Sequence, residues 1–136
     1  MIKVAIVDDN QINRITIKEK LAPYQNVLLV FKATNGEDFF DKLESLPKEE
    51  HPQVVLMDLE MPILDGIVTI ASASIKFPEI KYIVLTIYED DDKIFEAIKA
   101  GASGYLLKED KALNIEEAMK NVVQFDGIPM SPAIAR

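Results

Sequence analysis

The sequence has no cysteine and a single histidine. The first absence excludes disulfides and thiolate metal sites and is compatible with a reducing compartment. The second excludes a transition-metal site built from imidazoles, because one ring cannot fill the coordination shell. That histidine, His51, stands in a Glu-Glu-His-Pro stretch and is expected to be an exposed loop residue. No apolar run approaches the roughly 20 residues needed to span a bilayer. The opening MIKVAIVDD stops at two aspartates, too soon and with the wrong flanks for a signal peptide. There is no excess of positive charge either. Lys and Arg number 15 against 23 Asp and Glu, for a formal net charge of -8. A basic face for a nucleic-acid backbone or an anionic lipid surface is therefore not expected. The acidic balance itself speaks for solubility and for no particular function. The expectation is a soluble, cytoplasmic protein that makes no membrane contact.

What is present suits one compact domain: 136 residues, 49% of them hydrophobic, enough for a core at this size. Short β-branched runs alternate with helical patterns, which predicts βαβ units and a parallel sheet. The runs are Lys3 to Val7, Val27 to Ala33, Val54 to Met57, Tyr82 to Leu85 and Gly104 to Leu107. Most are almost continuously apolar, as strands covered on both faces are. Between and after them lie stripes at helical spacing: Phe39, Leu43 and Leu46; Ile67, Ile70, Ala71 and Ile75; Ile94, Ala97 and Ile98; Ile115, Ala118, Met119, Val122 and Val123. The segment from Gln11 to Ala22 is less regular. Ile17 and Leu21 point one way and Ile12 and Ile15 roughly the other, so one pair should face the sheet and the other be partly exposed. Five β-then-α units follow, an α/β doubly wound architecture with right-handed crossovers and helices on both faces.

Ligands of such open sheets sit at the carboxyl ends of the strands. Asp8 and Asp9 follow the first strand, Asp58 the third, Thr86 the fourth and Lys108 the fifth. Each alone has an ordinary reading as a cap, a loop residue or a solvated charge. Together they place three carboxylates, a hydroxyl and an ammonium at one edge. Three carboxylates in one place repel unless a cation is present. A hard divalent cation with oxygen ligands, Mg²⁺ or Mn²⁺, relieves that repulsion and can neutralise an incoming phosphoryl group. A carboxylate can attack phosphorus to give an acyl phosphate, while Lys and Thr hold the remaining oxygens.

These residues lie in longer matching segments: Val7-Asp8-Asp9-Asn10, Val55 to Pro62 (VLMDLEMP), Asp65-Gly66, Leu85-Thr86 and Gly101 to Lys108 (GASGYLLK). In that order and spacing the chain resembles the response-regulator receiver family of two-component systems over nearly its whole length. The resemblance implies a flavodoxin-like five-stranded parallel sheet in the order 2-1-3-4-5 with five helices. It implies a signalling switch that takes a phosphoryl group from a sensor histidine kinase on Asp58. Beyond self-phosphorylation from small donors and autodephosphorylation, no enzymatic activity is expected. Asp9 and Asp58 would ligate the metal through carboxylates, Glu60 through its backbone carbonyl and Asp8 through a water. Lys108 would pair with the phosphoryl group, and with Asp58 before transfer. Thr86 would sense the phosphoryl group, and Tyr105 would be the aromatic switch that turns inward. Pro62 and Gly66 would shape the loop after Asp58. The output surface would include the helix from Asp90 to Ala100 and the last strand.

Many receivers carry proline directly after the lysine, whereas Glu109 follows here, so a trans Lys108–Glu109 peptide is expected. Lys-Glu-Asp at this place, together with the tail from Gly127 to Arg136, resembles the NarL/LuxR/FixJ branch, where a linker and a helix-turn-helix domain follow. The expected organisation is a receiver over 1–126 and the start of a linker over 127–136, leading to a DNA-binding output domain absent from the chain. DNA contact would come only through that domain. Glu60 and Tyr88 are expected to flank the path of the attacking water and to set the lifetime of the phosphorylated state. Helices one and five, or the face of the fourth helix and fifth strand, are expected to serve homodimer or partner contacts. Two other classes fit less well. A small-molecule phosphatase or phosphotransferase would want a lid and a second acid/base group, and a scaffold with a degenerate site would lack one of Asp9, Asp58, Thr86 and Lys108.

Overall fold

The structure is a computed structural model and describes residues 1–125 and 127–134. The boundary residue Asp126 and the tail residues Ala135 and Arg136 lie outside the described residues. The elements are β1 (Ile2–Val7), α1 (Gln11–Leu21), β2 (Val27–Ala33), α2 (Gly36–Ser45), β3 (Val54–Met57), α3 (Gly66–Lys76), β4 (Lys81–Thr86), α4 (Asp91–Ala100), β5 (Gly104–Leu107) and α5 (Ala112–Gln124), with a short 3₁₀ turn at Lys48–Glu50. The five strands pair in parallel in the order β2-β1-β3-β4-β5. This is the α/β fold expected from the sequence.

Successive side chains of a strand point to opposite faces, and the two cores divide on that rule. Val4, Ile6, Val54, Leu56, Ile83, Leu85 and Leu106 pack with Ile17 and Leu21 of α1 and Ile115, Met119 and Val122 of α5. Ala5, Val7, Val55, Met57, Tyr82, Val84, Tyr105 and Leu107 pack with Phe39 and Leu43 of α2, Ile70 and Ala73 of α3, and Ala97 of α4. β3, in the middle of the sheet, is apolar at every position because it has a helix layer on both sides. On α1, Ile17 and Leu21 are buried while Ile12 and Ile15 are exposed.

The face of α3 differs from the expected stripe. Its buried residues are Gly66, Thr69, Ile70 and Ala73, while Ile75 is 81% exposed and Ala71 also faces solvent. The helix reads GIVTIASASIK, so apolar residues occur on every side and periodicity alone does not select a face. Close approach does. A Cβ on Gly66 would lie 1.9 Å from the Asp58 carbonyl oxygen, and the hydroxyl of the buried Thr69 is satisfied by donating to the Asp65 carbonyl at 2.6 Å. His51 also departs from expectation. It is half-buried, with Nε2 3.1 Å from the Leu46 carbonyl and its ring edge-on to Phe77.

The described part of the segment beyond Gly127 lies along the open edge of β5. Tyr105 N–H donates to Pro129 C=O at 3.0 Å and Ser131 N–H donates to Tyr105 C=O at 2.8 Å, a parallel bridge centred on Met130. Met130, Ala133 and Ile134 pack against the core. Gly104 makes room for this approach, since a Cβ there would meet the Pro129 carbonyl at 2.9 Å. An edge strand presents unpaired N–H and C=O groups, and the tail satisfies those of Tyr105.

Candidate functional site

The parallel register aligns the strand ends. Val7 pairs with Met57, Met57 with Val84, and Thr86 with Leu107. The ladder continues past the strands: Asp8 N–H donates to Ala33 C=O, Asp58 N–H to Val7 C=O, and Lys108 N–H to Thr86 C=O. The backbones that carry the acidic and basic groups are thus fixed by the sheet itself. Three of the helices that start at this edge have a side-chain N-cap: Asn10 accepts from Asn13 N–H, Asn35 from Asp38 N–H and Asp65 from Val68 N–H. Asn10 caps α1, which leaves both preceding aspartates free for other work.

Asp8 and Asp58 are buried and Asp9 is exposed. One carboxylate oxygen from each lies within 4.8 Å of the others. Lys108 Nζ sits 2.7 Å from Asp8 Oδ2 and 3.4 Å from Asp58 Oδ1. The expected pairing with Asp58 is therefore present, but the shorter contact is to Asp8. Asp8 Oδ2 is buried and has no aligned hydrogen-bond donor. Its Oδ1 accepts from Asn10 N–H at 2.9 Å, and Arg14 donates to its backbone carbonyl at 2.6 Å. Asp58 Oδ1 accepts from Leu59 N–H at 2.9 Å.

Burial, and then the negative charge of Asp8, push the Asp58 carboxyl up to about 6 from its ordinary 3.8, against the pull of Lys108 and the Leu59 N–H. One ammonium does not compensate this acidic cluster. The donor set is three carboxylates, hard oxygen ligands of the kind Mg²⁺ and Ca²⁺ take. A divalent cation there would offset the repulsion that raises the Asp58 pKa, so the residues present fit one.

Thr86 Oγ1 is fully buried at the end of β4 with no hydrogen-bond partner among the described residues. A buried unsatisfied hydroxyl costs about 1–3 kcal/mol, and such groups call for an explanation in a native structure. Tyr105 is fully buried, with its ring turned inward, and its hydroxyl donates to the Tyr88 carbonyl at 2.7 Å. Tyr88 in turn donates its phenol to Glu60 Oε2 at 2.8 Å, and Lys93 of α4 donates to Glu60 Oε1 at 3.0 Å while lying 4.7 Å from the Tyr88 ring centre. The two bonds, Lys93 first, hold the Glu60 carboxyl below its usual range. The sequence suggested Glu60 and Tyr88 but not Lys93, which is in the first turn of α4 and carries no local signal.

After Asp58 the chain turns sharply. Leu64 N–H donates to Pro62 C=O at 2.8 Å across Ile63, which has φ 71°. A β-branched residue at positive φ is strained, and such strain clusters at functional loops. Pro62 itself is exposed, whereas Gly66 is buried against the Asp58 carbonyl. Two further residues that sequence reasoning missed bear on Lys108. Lys20 of α1 donates to the carbonyls of Lys108 and Asp110, and Asp110 accepts from Leu107 N–H. Both contacts join positions far apart or in a loop, and no periodicity marks them.

A family model described as the response regulator receiver domain matches residues 4–120. The transcriptional regulatory protein DegU of Brevibacillus brevis is 35% identical over 123 residues, which is 90% of this chain and 50% of that protein. The transcriptional regulatory protein LnrK of Bacillus subtilis is 36% identical over 122 residues, 90% of this chain and 54% of that protein. The chain thus spans about half the length of these curated relatives. A LuxR-family two-component response regulator from Aurantimonas sp. SI85-9A1 superposes with a TM-score of 0.88 at 22% identity, covering 99% of this chain and 93% of that one. At that identity the likeness concerns the fold.

Proposed function

The chain belongs to the response regulator receiver domain family, and from that premise we propose that Asp58 is its phosphoacceptor in a switch driven by a sensor histidine kinase. The observation that carries this reading is the convergence of three carboxylates within 4.8 Å, with the Lys108 ammonium between Asp8 and Asp58. In the proposed reaction a carboxylate oxygen of Asp58 attacks phosphorus, the bond from phosphorus to the donor nitrogen or oxygen breaks, and an acyl phosphate forms. Lys108 leaves the Asp58 carboxylate to hold a phosphoryl oxygen. The Thr86 hydroxyl, unpartnered and buried, donates to another. Tyr105 stands inward beneath the loop that Thr86 begins, so filling the Thr86 bond favours the arrangement described here. Asp9, Asp58 and the Glu60 backbone carbonyl would hold Mg²⁺ or Mn²⁺, with Asp8 acting through a water. The cation supplies charge neutralisation and orientation of the phosphoryl group.

The site is read as one that labels once rather than turning over substrate, with self-phosphorylation from small donors and autodephosphorylation as its only chemistry. DegU and LnrK are transcriptional regulatory proteins, and the matched segment is about half of each. We therefore read residues 1–126 as the receiver part of a cytoplasmic transcriptional regulator, with residues 127–136 leading toward a DNA-binding output domain. Among the described residues no helix is long and apolar enough to cross a membrane. Homodimer or partner contacts are assigned to the exposed Ile12, Ile15 and Leu113 of α1 and α5, or to the α4–β5 face with its exposed Phe95.

The test is intact mass after treatment with acetyl phosphate and Mg²⁺. Wild type should gain about 80 Da once per chain, and Asp58→Asn or EDTA should abolish the gain. A gain that survives Asp58→Asn, or none in wild type, refutes the assignment.

A further inference from the structure

Lys108 stands at the end of β5 on the short Lys108–Glu109–Asp110 connection to α5. Its ammonium must meet the acidic cluster, so the direction in which its side chain leaves the backbone matters. Glu109 provides no proline ring to fix the path of that connection. The structure holds it by other means. Lys20, on the last turn of α1, donates from Nζ to the Lys108 carbonyl at 2.8 Å and to the Asp110 carbonyl at 3.0 Å. On the other side, Asp110 folds back so that Oδ2 accepts from Leu107 N–H at 3.1 Å and Oδ1 from the buried Ser131 hydroxyl at 3.0 Å. The same helix reaches the partner group, because Arg14 donates to the Asp8 carbonyl at 2.6 Å. One rigid element thus grips the peptide carbonyls of both residues whose side chains meet at 2.7 Å.

We propose that Lys20 is a positioning residue for Lys108: by clamping the carbonyls on either side of Glu109 it orients the peptide from which the Lys108 side chain departs. An ammonium bonded to two carbonyls is charge-assisted, stronger than a neutral pair, and leaves a donor for water. Reacting groups lose rate steeply when displaced by an ångström, so the clamp acts on rate more than on stability. This inference rests on the proposed phosphoacceptor role of Asp58.

The test compares wild type, Lys20→Met and Lys20→Arg in initial rate of mass gain from acetyl phosphate with Mg²⁺, in thermal unfolding, and in hydrogen exchange of the Lys108 and Asp110 amides. Lys20→Met, which loses both bonds, should be about tenfold slower, a change that corresponds to about 1.4 kcal/mol in the barrier. Lys20→Arg, which keeps the charge and two donors, should restore the rate to within about threefold. The two loop amides should exchange faster in Lys20→Met only, while the Val84 amide on the central sheet does not change. A Lys20→Met rate within about twofold of wild type, or a Lys20→Arg rate as slow as Lys20→Met, overturns the proposal. If Lys20→Met does not fold, Lys20→Gln, with its amide donors, takes its place in the same comparison. If wild type gains no mass, the phosphoacceptor reading fails, and unchanged loop exchange in the variant then refutes the clamp separately.

Discussion

Replacing Asp58, the proposed phosphoacceptor, should make the metal-free protein more stable. Asp58 holds its proton more tightly in the folded state, at about 6, than the ordinary carboxyl does at 3.8. For an acid whose folded pKa is raised, the favourable contribution is complete below the unfolded value and is lost as pH rises through the folded one. Above pH 7 the ionised group therefore weighs against folding. About two pKa units at 1.36 kcal/mol each set a ceiling near 3 kcal/mol, which water at the exposed Asp9 side lowers to roughly 1.5–2.5. Asparagine has nearly the same shape, keeps an oxygen for the Leu59 N–H, and leaves the shorter Lys108–Asp8 contact intact. Asp58→Asn should raise Tm in EDTA at pH 7.5 by about 5–10 °C for a chain of this size. The gain should shrink between about pH 6 and pH 4, as wild-type Asp58 takes up its proton. Millimolar Mg²⁺ should stabilise wild type and narrow the gap, because a ligand of the native state shifts unfolding by mass action. Calorimetry or circular dichroism across pH 4–8 decides the matter. A less stable Asp58→Asn at pH 7.5, or a difference that is flat with pH, shows that burial of the Asp58 charge, beside that of Asp8, is not the source of strain.

Other expectations follow from the same geometry. Ser131→Ala removes the hydroxyl that donates to Asp110 Oδ1 in that buried pair, and should cost about 1–3 kcal/mol in urea unfolding; no change would mean that the tail is not docked in solution. Glu60→Asn and Tyr88→Ala break the Glu60–Tyr88–Lys93 contact at the mouth of the site. The decay of phosphorylated protein, followed by mass, should change in at least one of them, and identical half-lives in both remove the two residues from control of water access. Ile15→Glu puts a charge on the exposed side of α1 and should weaken self-association of the phosphorylated form in light scattering if α1 and α5 make the dimer; an unchanged dimer moves the interface to the α4–β5 face.

The strands were legible because a chain covered on both sides must be apolar at consecutive positions, and β-branched runs of four to seven residues at regular intervals have little other use. Once the strands are parallel, their last residues share an edge, so Asp8, Asp9, Asp58, Thr86 and Lys108 could be brought together from spacing alone. What spacing could not give was the face of α3. There Gly66 and Thr69 take buried positions for steric and hydrogen-bonding reasons, and Ile75 is left in solvent. Nor could it give Lys20, Lys93 or Asp110, which look like solvated charges in sequence and acquire partners only through the tertiary fold. The preference of Lys108 for Asp8 over Asp58 is of the same kind, a matter of ångströms between loops.

Those ångströms bear on how a switch of this design could work. Moving a two-state equilibrium from about 1:99 to 99:1 takes roughly 5.5 kcal/mol of differential interaction. The unpartnered Thr86 hydroxyl can supply only about 1–3 kcal/mol when it finds a phosphoryl oxygen. Lys108 must then supply much of the rest, and it can do so only if its contact improves on transfer. In the proposed transfer it would leave a buried Asp8–Asp58 pair whose mutual repulsion it offsets in part, and meet a group carrying up to about two charges. The path onward is continuous. The loop that follows Thr86 accepts the Tyr105 hydroxyl at the Tyr88 carbonyl, and the backbone of Tyr105 holds the tail through Pro129 and Ser131. Proximity along such a path is not coupling. Coupling requires that the tail prefer one state of Tyr105, and a tail bonded to the backbone of that residue responds to movement of β5 rather than to rotation of the ring. A phosphoryl-dependent change in exchange of the Ser131 amide, which donates to the Tyr105 carbonyl, would therefore report strand displacement, whereas ring rotation alone would leave it untouched.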